Sequence, residues 1–229
     1  MMAFFVLCFI VLFVGKRHNA AVAQLWHTKS LPLIREQFAY VGMDDGQLNV
    51  DLEHTSWSEF TFYASGRKNC FYSLYKLDLI KRHCFFSNYV LGWIYPSTDV
   101  LTVDIPILFP NNDYGGPPPY PIEFFLTKKS RQKYVNDLHE HFKTLLFPVR
   151  ATNLPVPAPP ANKKEAKAMA KKDFLIVLGE NEEVANQLID KSIGDLLTQH
   201  GDCLHELHVT DQQVYNKYPV FMRARLDIG

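Results

Sequence analysis

The sequence has no net charge. Its 24 lysines and arginines balance 24 aspartates and glutamates, so no global field advertises a polyanion and any basic surface must be local. It also lacks a cysteine framework. Cys8, Cys70, Cys84 and Cys203 are scattered and form no C-x-x-C, which fits a reducing compartment better than a disulfide scaffold. No Asn-x-Ser/Thr sequon occurs, in keeping with a chain that does not face a glycosylating lumen. No glycine-rich run follows a strand and opens a helix, as a phosphate cradle requires; Gly115-Gly116 simply precede three prolines in a loop. Neither an H-E-x-x-H nor a nucleophile elbow is present. Together these absences leave enzymatic readings little to stand on.

What the chain does carry is an apolar start, Met1 to Gly15, followed by Lys16-Arg17-His18. As a helix these fifteen residues reach only ~22 Å, against ~30 Å of bilayer hydrocarbon. That length suits the core of a signal peptide, and Ala21-Val22-Ala23 before Gln24 has the form of a cleavage site. The charges argue otherwise. A signal peptide is positive before its apolar run, whereas here Lys16 and Arg17 come after it, and positive charge marks the cytosolic flank of a span. Lys16 and Arg17 are therefore the topology-determining residues of an expected anchor, residues 1–15, with everything after them cytosolic. A cleaved signal peptide and a buried N-terminal element are the alternatives. The short span suggests that a few luminal residues lie outside this sequence.

The rest has an ordinary globular balance, 47% hydrophobic and 21% charged over 229 residues. Residues 16–42 read as a juxtamembrane helix broken by Pro32 near Ser30-Leu31, and residues 43–55 as polar turns. "SEFTFYASG" alternates, with Phe60, Phe62 and Ala64 on one face, and predicts a strand ended by Gly66. "CFYSLYKLDLIKRHCFFSNYVLGWIY" places Leu74, Leu77, Ile80 and Cys84 at helical steps and predicts a helix stopped by Pro96. "DVLTVDIPILF" and "PIEFFLTK" predict strands, and "SRQKYVNDLHEHFKTLLF" a helix capped by Ser130.

After a Pro/Lys-rich linker, 149–172, "DFLIVLG" predicts a strand. A helix from Glu182 to His200 follows, capped by Asn181, bent near Gly194 and stopped by Gly201. "LHELHVT" and "VFMRARLDI" predict two more strands. The expected fold is α+β: an N-terminal anchor helix, then two β-α-β-β, ferredoxin-like halves at 56–148 and 173–229. With no closing helix at the end, the native product is expected to continue or a partner to cover this edge.

His200, Cys203, His205 and His208 crowd nine residues, which raises zinc and a membrane-tethered metal hydrolase. In a strand, however, His205 and His208 point to opposite faces, so a polar strand edge explains them better. His139-Glu140-His141 lie one apart on a helix and do not share a face. No metal, cofactor or small-molecule substrate is expected. Pro155 to Pro160 read as a linker. In "NKKEAKAMAKK", Lys163, Lys167 and Lys171 recur every four residues with Lys164 and Lys172 beside them. As a helix this is a basic stripe, a solvated face or a contact for ribosomal RNA or lipid headgroups.

"GKRHNAAVAQLWHTKSLPLIREQFAYVG" resembles the segment after the transmembrane helix in the calumin family, coiled-coil-containing membrane proteins of the endoplasmic reticulum. Gly15, Lys16, Asn19, Ala23, Trp26, Leu33, Phe38, Val41 and Gly42 carry the match. It continues through Ser65, Gly66, Arg67, Cys70, Leu74, Leu77, Lys81 and Arg82, and through "LHVTDQ", Leu207 to Gln212. The resemblance implies a non-enzymatic subunit of the PAT complex, an intramembrane chaperone of the translocon for multipass proteins, with one span and a cytosolic α/β domain. The family's acidic luminal region and its basic coiled-coil tail have no counterpart in this sequence. Its calcium binding and its ribosome contact are therefore not carried over. The expected function is an endoplasmic-reticulum membrane adaptor; the alternative is a secreted or luminal binding domain cut free after Ala23.

Overall fold

The computed structural model describes residues 2–42, 52–86, 92–94, 97–108, 122–133, 135, 146–154, 174–211 and 220–228. Contacts divide the chain into two compact units: Met1–Leu108 with Leu226–Gly229, and Phe109–Arg225.

The first unit opens with α1 (Met2–Gln37). It continues with β1 (Tyr40–Val41), β2 (Glu53–His54), β3 (Glu59–Ser65), β4 (Tyr72–Asp78) and β5 (Val100–Ile107). The alternation read from the sequence is real in β3, where Phe60, Phe62 and Ala64 are buried on one face. The turn after it needs positive φ at Gly66 and Asn69, conformations that glycine and asparagine accept most readily. β4 then pairs antiparallel with all of β3, from Glu59↔Asp78 to Ser65↔Tyr72, and β5 pairs with β4. The short β1 and β2 both pair with β3 on its other edge.

Two expectations fail here. The helix expected from Cys70 onward is strand β4 across Tyr72–Asp78. Leu74 and Leu77 would share a face only in a helix; in the strand the fully buried Ser73 and Leu77 share one side. Among the described residues the first half is thus three antiparallel strands, with a helical turn, Gly92–Ile94, between β4 and β5, and the β-α-β-β order expected of it is not confirmed. The second correction concerns Pro32, which does not break α1 but lies inside it. Pro32 and Thr28, whose carbonyl would have bonded the missing N–H, are both on the exposed side, where the lost bond costs least.

From Gly15 onward α1 buries one stripe: Gly15, Asn19, Ala23, Ile34 and Phe38, with Trp26 half-buried between them. Ala23 packs with Phe60, Leu77, Leu79 and Leu101, and Ile34 and Phe38 with Phe62 and Ala64. Trp26 meets Phe62 edge-on at 6.3 Å and Tyr75 at 5.8 Å. Each large apolar side chain so buried stabilises the unit by about 1.5–3 kcal/mol.

The second unit contains β6 (Glu123–Lys128), β7 (Phe147–Val149), β8 (Leu175–Gly179), α2 (Glu182–Leu188), α3 (Lys191–His200), β9 (Leu204–Thr210) and β10 (Val220–Asp227), whose last residues fall in the first unit. The strand order is β7-β8-β6-β9-β10. β6, expected to belong to the first half, pairs antiparallel with β8 and β9 of the second. As a central strand it is buried on both faces, and Phe125 packs with Leu178 and Val135.

Asn181 caps α2, accepting from the Glu183 amide at 2.9 Å. The single helix expected from Glu182 to His200 is two, and the break is at Ile189-Asp190 instead of Gly194. Ile189 is fully buried at the corner, and Asp190 caps α3 by accepting from Ile193 N at 2.8 Å. Gly194 sits inside α3 because the Asn153 carbonyl lies where its side chain would be. Ser130 lies within a 3-10 turn, Lys129–Arg131, and is not a helix cap. Most of the helix expected after it, including His139-Glu140-His141, is outside the described residues.

Candidate functional site

The most constrained polar site of the first unit lies where α1 meets the sheet. Asn19 is fully buried, on a helix face otherwise made of small and apolar residues. Its amide donates to the carbonyls of Ile80 at 3.0 Å and Trp57 at 3.2 Å. Its oxygen accepts from Arg82 Nη1 at 3.1 Å. Arg82 in turn grips Asp99 with both nitrogens, at 2.9 and 2.7 Å, and Asp99 Oδ1 accepts from the Ile80 amide at 2.8 Å. Every donor of the asparagine amide is used, and the buried carboxylate of Asp99 has a bidentate cation, the geometry in which such a pair is strong.

One turn earlier, a Cβ on Gly15 would strike the backbone of Arg82 and His83, so glycine permits the close approach. Lys16 and Arg17 are both exposed. The Lys16 ammonium lies 5.2 Å from the centre of the Trp57 ring, whose edge faces His83 at 5.3 Å. Before Gly15 the helix changes character. Phe5, Val6, Phe9, Ile10, Phe13 and Val14 are exposed, spanning about half of the circumference at about 100° per residue. By length and composition α1 is able to cross a membrane. Because its residues from Gly15 bury one face on the sheet, the continuous exposed apolar surface is on the part before Gly15, with only Leu25 and Leu33 exposed beyond it among its large apolar residues.

The second unit holds a different polar centre. Glu123 of β6 accepts from Thr210 and pairs with His208 Nε2 at 2.8 Å, both on β9. The His208 ring stacks on Phe125 at 3.6 Å. Burial drives the His208 pKa down to about 3, against a pull upward from Glu206 and a further push downward from Arg223, which favours the neutral imidazole in the folded chain. Nearby, Glu180 is raised by burial and by Asp211 and Glu123. Of the four residues that raised zinc, His205 and His208 lie on opposite faces of β9, and Cys203 is exposed in a 3-10 turn. Among the described residues no group of three His, Cys, Asp or Glu is placed to hold a metal.

A family model described as PAT complex subunit CCDC47 matches residues 1–225. The chain belongs to the CCDC47 family. It is 25% identical over 207 residues to the PAT complex subunit CCDC47 of Danio rerio, covering 87% of this chain and 37% of the relative. It is also 26% identical over 223 residues to an uncharacterized protein of Arabidopsis thaliana, covering 90% of this chain and 41% of the relative. The chain thus spans about two fifths of the length of these relatives. Membership agrees with the resemblance read from the sequence and, together with an apolar N-terminal helix, is consistent with membrane localisation. CCDC47 is not known as an enzyme family.

The residues that carry that resemblance have definite places. Gly15, Asn19, Ala23 and Phe38 are buried on the docked face of α1, and Arg82 completes the polar knot, whereas Leu33 is exposed. Lys163, Lys164, Lys167, Lys171 and Lys172 lie outside the described residues. Sequence reasoning does not assign Asp99 a role. Its only local signal is a carboxylate between turn residues and an apolar strand, and its partners are 17 and more residues away.

Proposed function

We propose that this CCDC47-family chain is a non-enzymatic membrane adaptor of the endoplasmic reticulum, working with PAT complex and translocon components on multipass proteins during insertion. The observation that carries the reading is α1. One unbroken helix supplies an exposed apolar segment and then docks through Gly15, Asn19 and Ala23 into a folded unit, which is the build of a tethered scaffold. Lys16 and Arg17 follow the apolar segment directly, and this favours a cytosolic domain. Cleavage after Ala23 would strip Gly15 and Asn19 from the knot and leave Arg82 and Asp99 without the helix, which weighs against the secreted alternative.

The basic stripe from Lys163 to Lys172 is proposed as a contact with ribosomal RNA beside the translocon. Changing these five lysines to glutamate should reduce co-sedimentation with ribosomes in detergent, more so as salt is lowered. The orientation is tested by adding protease to sealed microsomes that contain the chain. Digestion of both units is expected; full protection of everything after about residue 40 would overturn the cytosolic placement.

A further inference from the structure

The connection from β4 to β5 leaves and returns at one point. Arg82 at its start and Asp99 at its end are paired with each other, and Arg82 bonds Asn19 of α1. The chain therefore leaves at Arg82 and returns at Asp99 beside the helix, and Gly15 touches the Arg82-His83 backbone there. No charged residue occurs from Cys84 to Thr98, a stretch rich in aromatic and aliphatic side chains and preceded by Lys81-Arg82-His83. Within it Phe86 is 64% and Trp93 89% exposed. Phe86, three residues beyond His83, lies at most about 11 Å from that backbone contact.

A loop that faces water throughout would carry charge or small polar groups. Exposed rings in an uncharged stretch mark a surface that something covers. Its surroundings point to what. Trp57 is itself 46% exposed, with Lys16 over its ring, and it shares a groove with Lys81, His83 and Glu59. Lys16, Arg17 and Lys81 are exposed. The exposed rings of Trp57 and Phe86 and these cations thus gather at the level where α1 passes from its exposed apolar segment to its docked one, and Trp93 follows in the same uncharged stretch. Amphipathic rings among lysines and arginines are what the headgroup layer of a bilayer selects at the end of a span.

We propose that Phe86, Trp93 and the neighbouring Trp57 form a second membrane contact, seated in the glycerophospholipid headgroup layer. The domain is then held against the leaflet at two places instead of hanging from one helix. This rests on the reading of α1 as lipid-embedded, and the test separates the two. The full chain is reconstituted into vesicles of phosphatidylcholine, either plain or brominated near the carbonyl end of its acyl chains, and tryptophan emission is compared. Trp26, half-buried between Phe62 and Tyr75, supplies emission that bromine does not reach.

The expected result is a loss of emission in the brominated lipid that shrinks in Trp93→Phe and nearly disappears when Trp57→Phe is added. Both side chains are exposed, so neither change threatens folding. A Phe9→Trp chain, in lipid brominated near the chain ends, reports on α1 itself. Quenching of that indole without any loss assignable to Trp57 or Trp93 overturns the second contact alone, and leaves a protein as the cover of the loop. Absence of quenching at position 9 overturns the span reading and this proposal together.

Discussion

Each unit buries a polar network, and the two are built on opposite terms. In the first, Asn19, Arg82 and Asp99 join a helix to strand ends and loops. Its cation keeps about a quarter of its side chain in solvent. In the second, Glu123, His208 and Thr210 join two neighbouring strands, almost wholly out of water. One of its members changes charge on mild acidification once unfolded. The first network specifies where an element docks; the second ties strand pairing to proton concentration. Buried polarity therefore does two jobs in one chain, and the difference lies in whether the group that must stay charged is a guanidinium or must stay neutral as an imidazole.

The contrast breaks most sharply at Asp99. Asp99→Ala leaves Arg82 without its counter-charge and the Ile80 amide without an acceptor, at a cost of about 3–5 kcal/mol. For a chain of this size that is about 2–4 °C of melting temperature per kcal/mol, read in detergent. Asn19→Ala should cost less, about 1–3 kcal/mol, because Arg82 and Asp99 remain paired. Its signature is local: hydrogen exchange should speed up along α1 from Gly15 to Phe38 and leave β6 and β9 unchanged. Equal exchange in both regions would mean that the asparagine is not what docks the helix.

The effect that is smallest over any one pH unit sharpens the other side of the comparison. His208 titrates at about 6.5 when unfolded and about 3 when folded. Between these values the unfolded chain binds the extra proton, so stability contributed by the neutral imidazole is complete above pH 6.5 and falls as pH drops toward 3. The slope for one proton is at most ~1.4 kcal/mol per pH unit. Melts taken stepwise through that window should lose stability in the wild type and lose less in His208→Gln. Parallel curves for the two chains would assign the acid sensitivity elsewhere.

Much of the sheet is legible in the residues alone. Phe60, Phe62 and Ala64 announce β3 because one face of that strand is buried and the other is not. "LHELHVT" and "VFMRARLDI" bound β9 and β10 nearly to the residue. β4 reads as a helix because Leu74 and Leu77, on opposite faces of the strand, fall with Ile80 at helical spacing by coincidence. The turn chemistry of Gly66 and Asn69 is the better guide. The docking site is legible only as a set of positions. An asparagine on an otherwise apolar stripe signals a buried hydrogen-bonding role, but nothing local says that its partners are Trp57, Ile80 and Arg82, because tertiary bonds between distant residues leave no spacing in the chain.

Because α1 has no joint between its apolar segment and the residues that dock, it behaves as a keyed shaft. The azimuth of the first unit about the helix axis is set by the same phase that decides which apolar side chains point in which direction toward neighbouring helices or lipid. One residue inserted between Val14 and Gly15 would turn the two against each other by about 100° and shift them by about 1.5 Å. A deletion of three or four residues there would leave the heading off by only about 40–60° and change mainly the depth. What such a chain tells its surroundings is thus a compass bearing as well as an address: whatever meets one flank of the apolar segment meets a predetermined side of the folded unit.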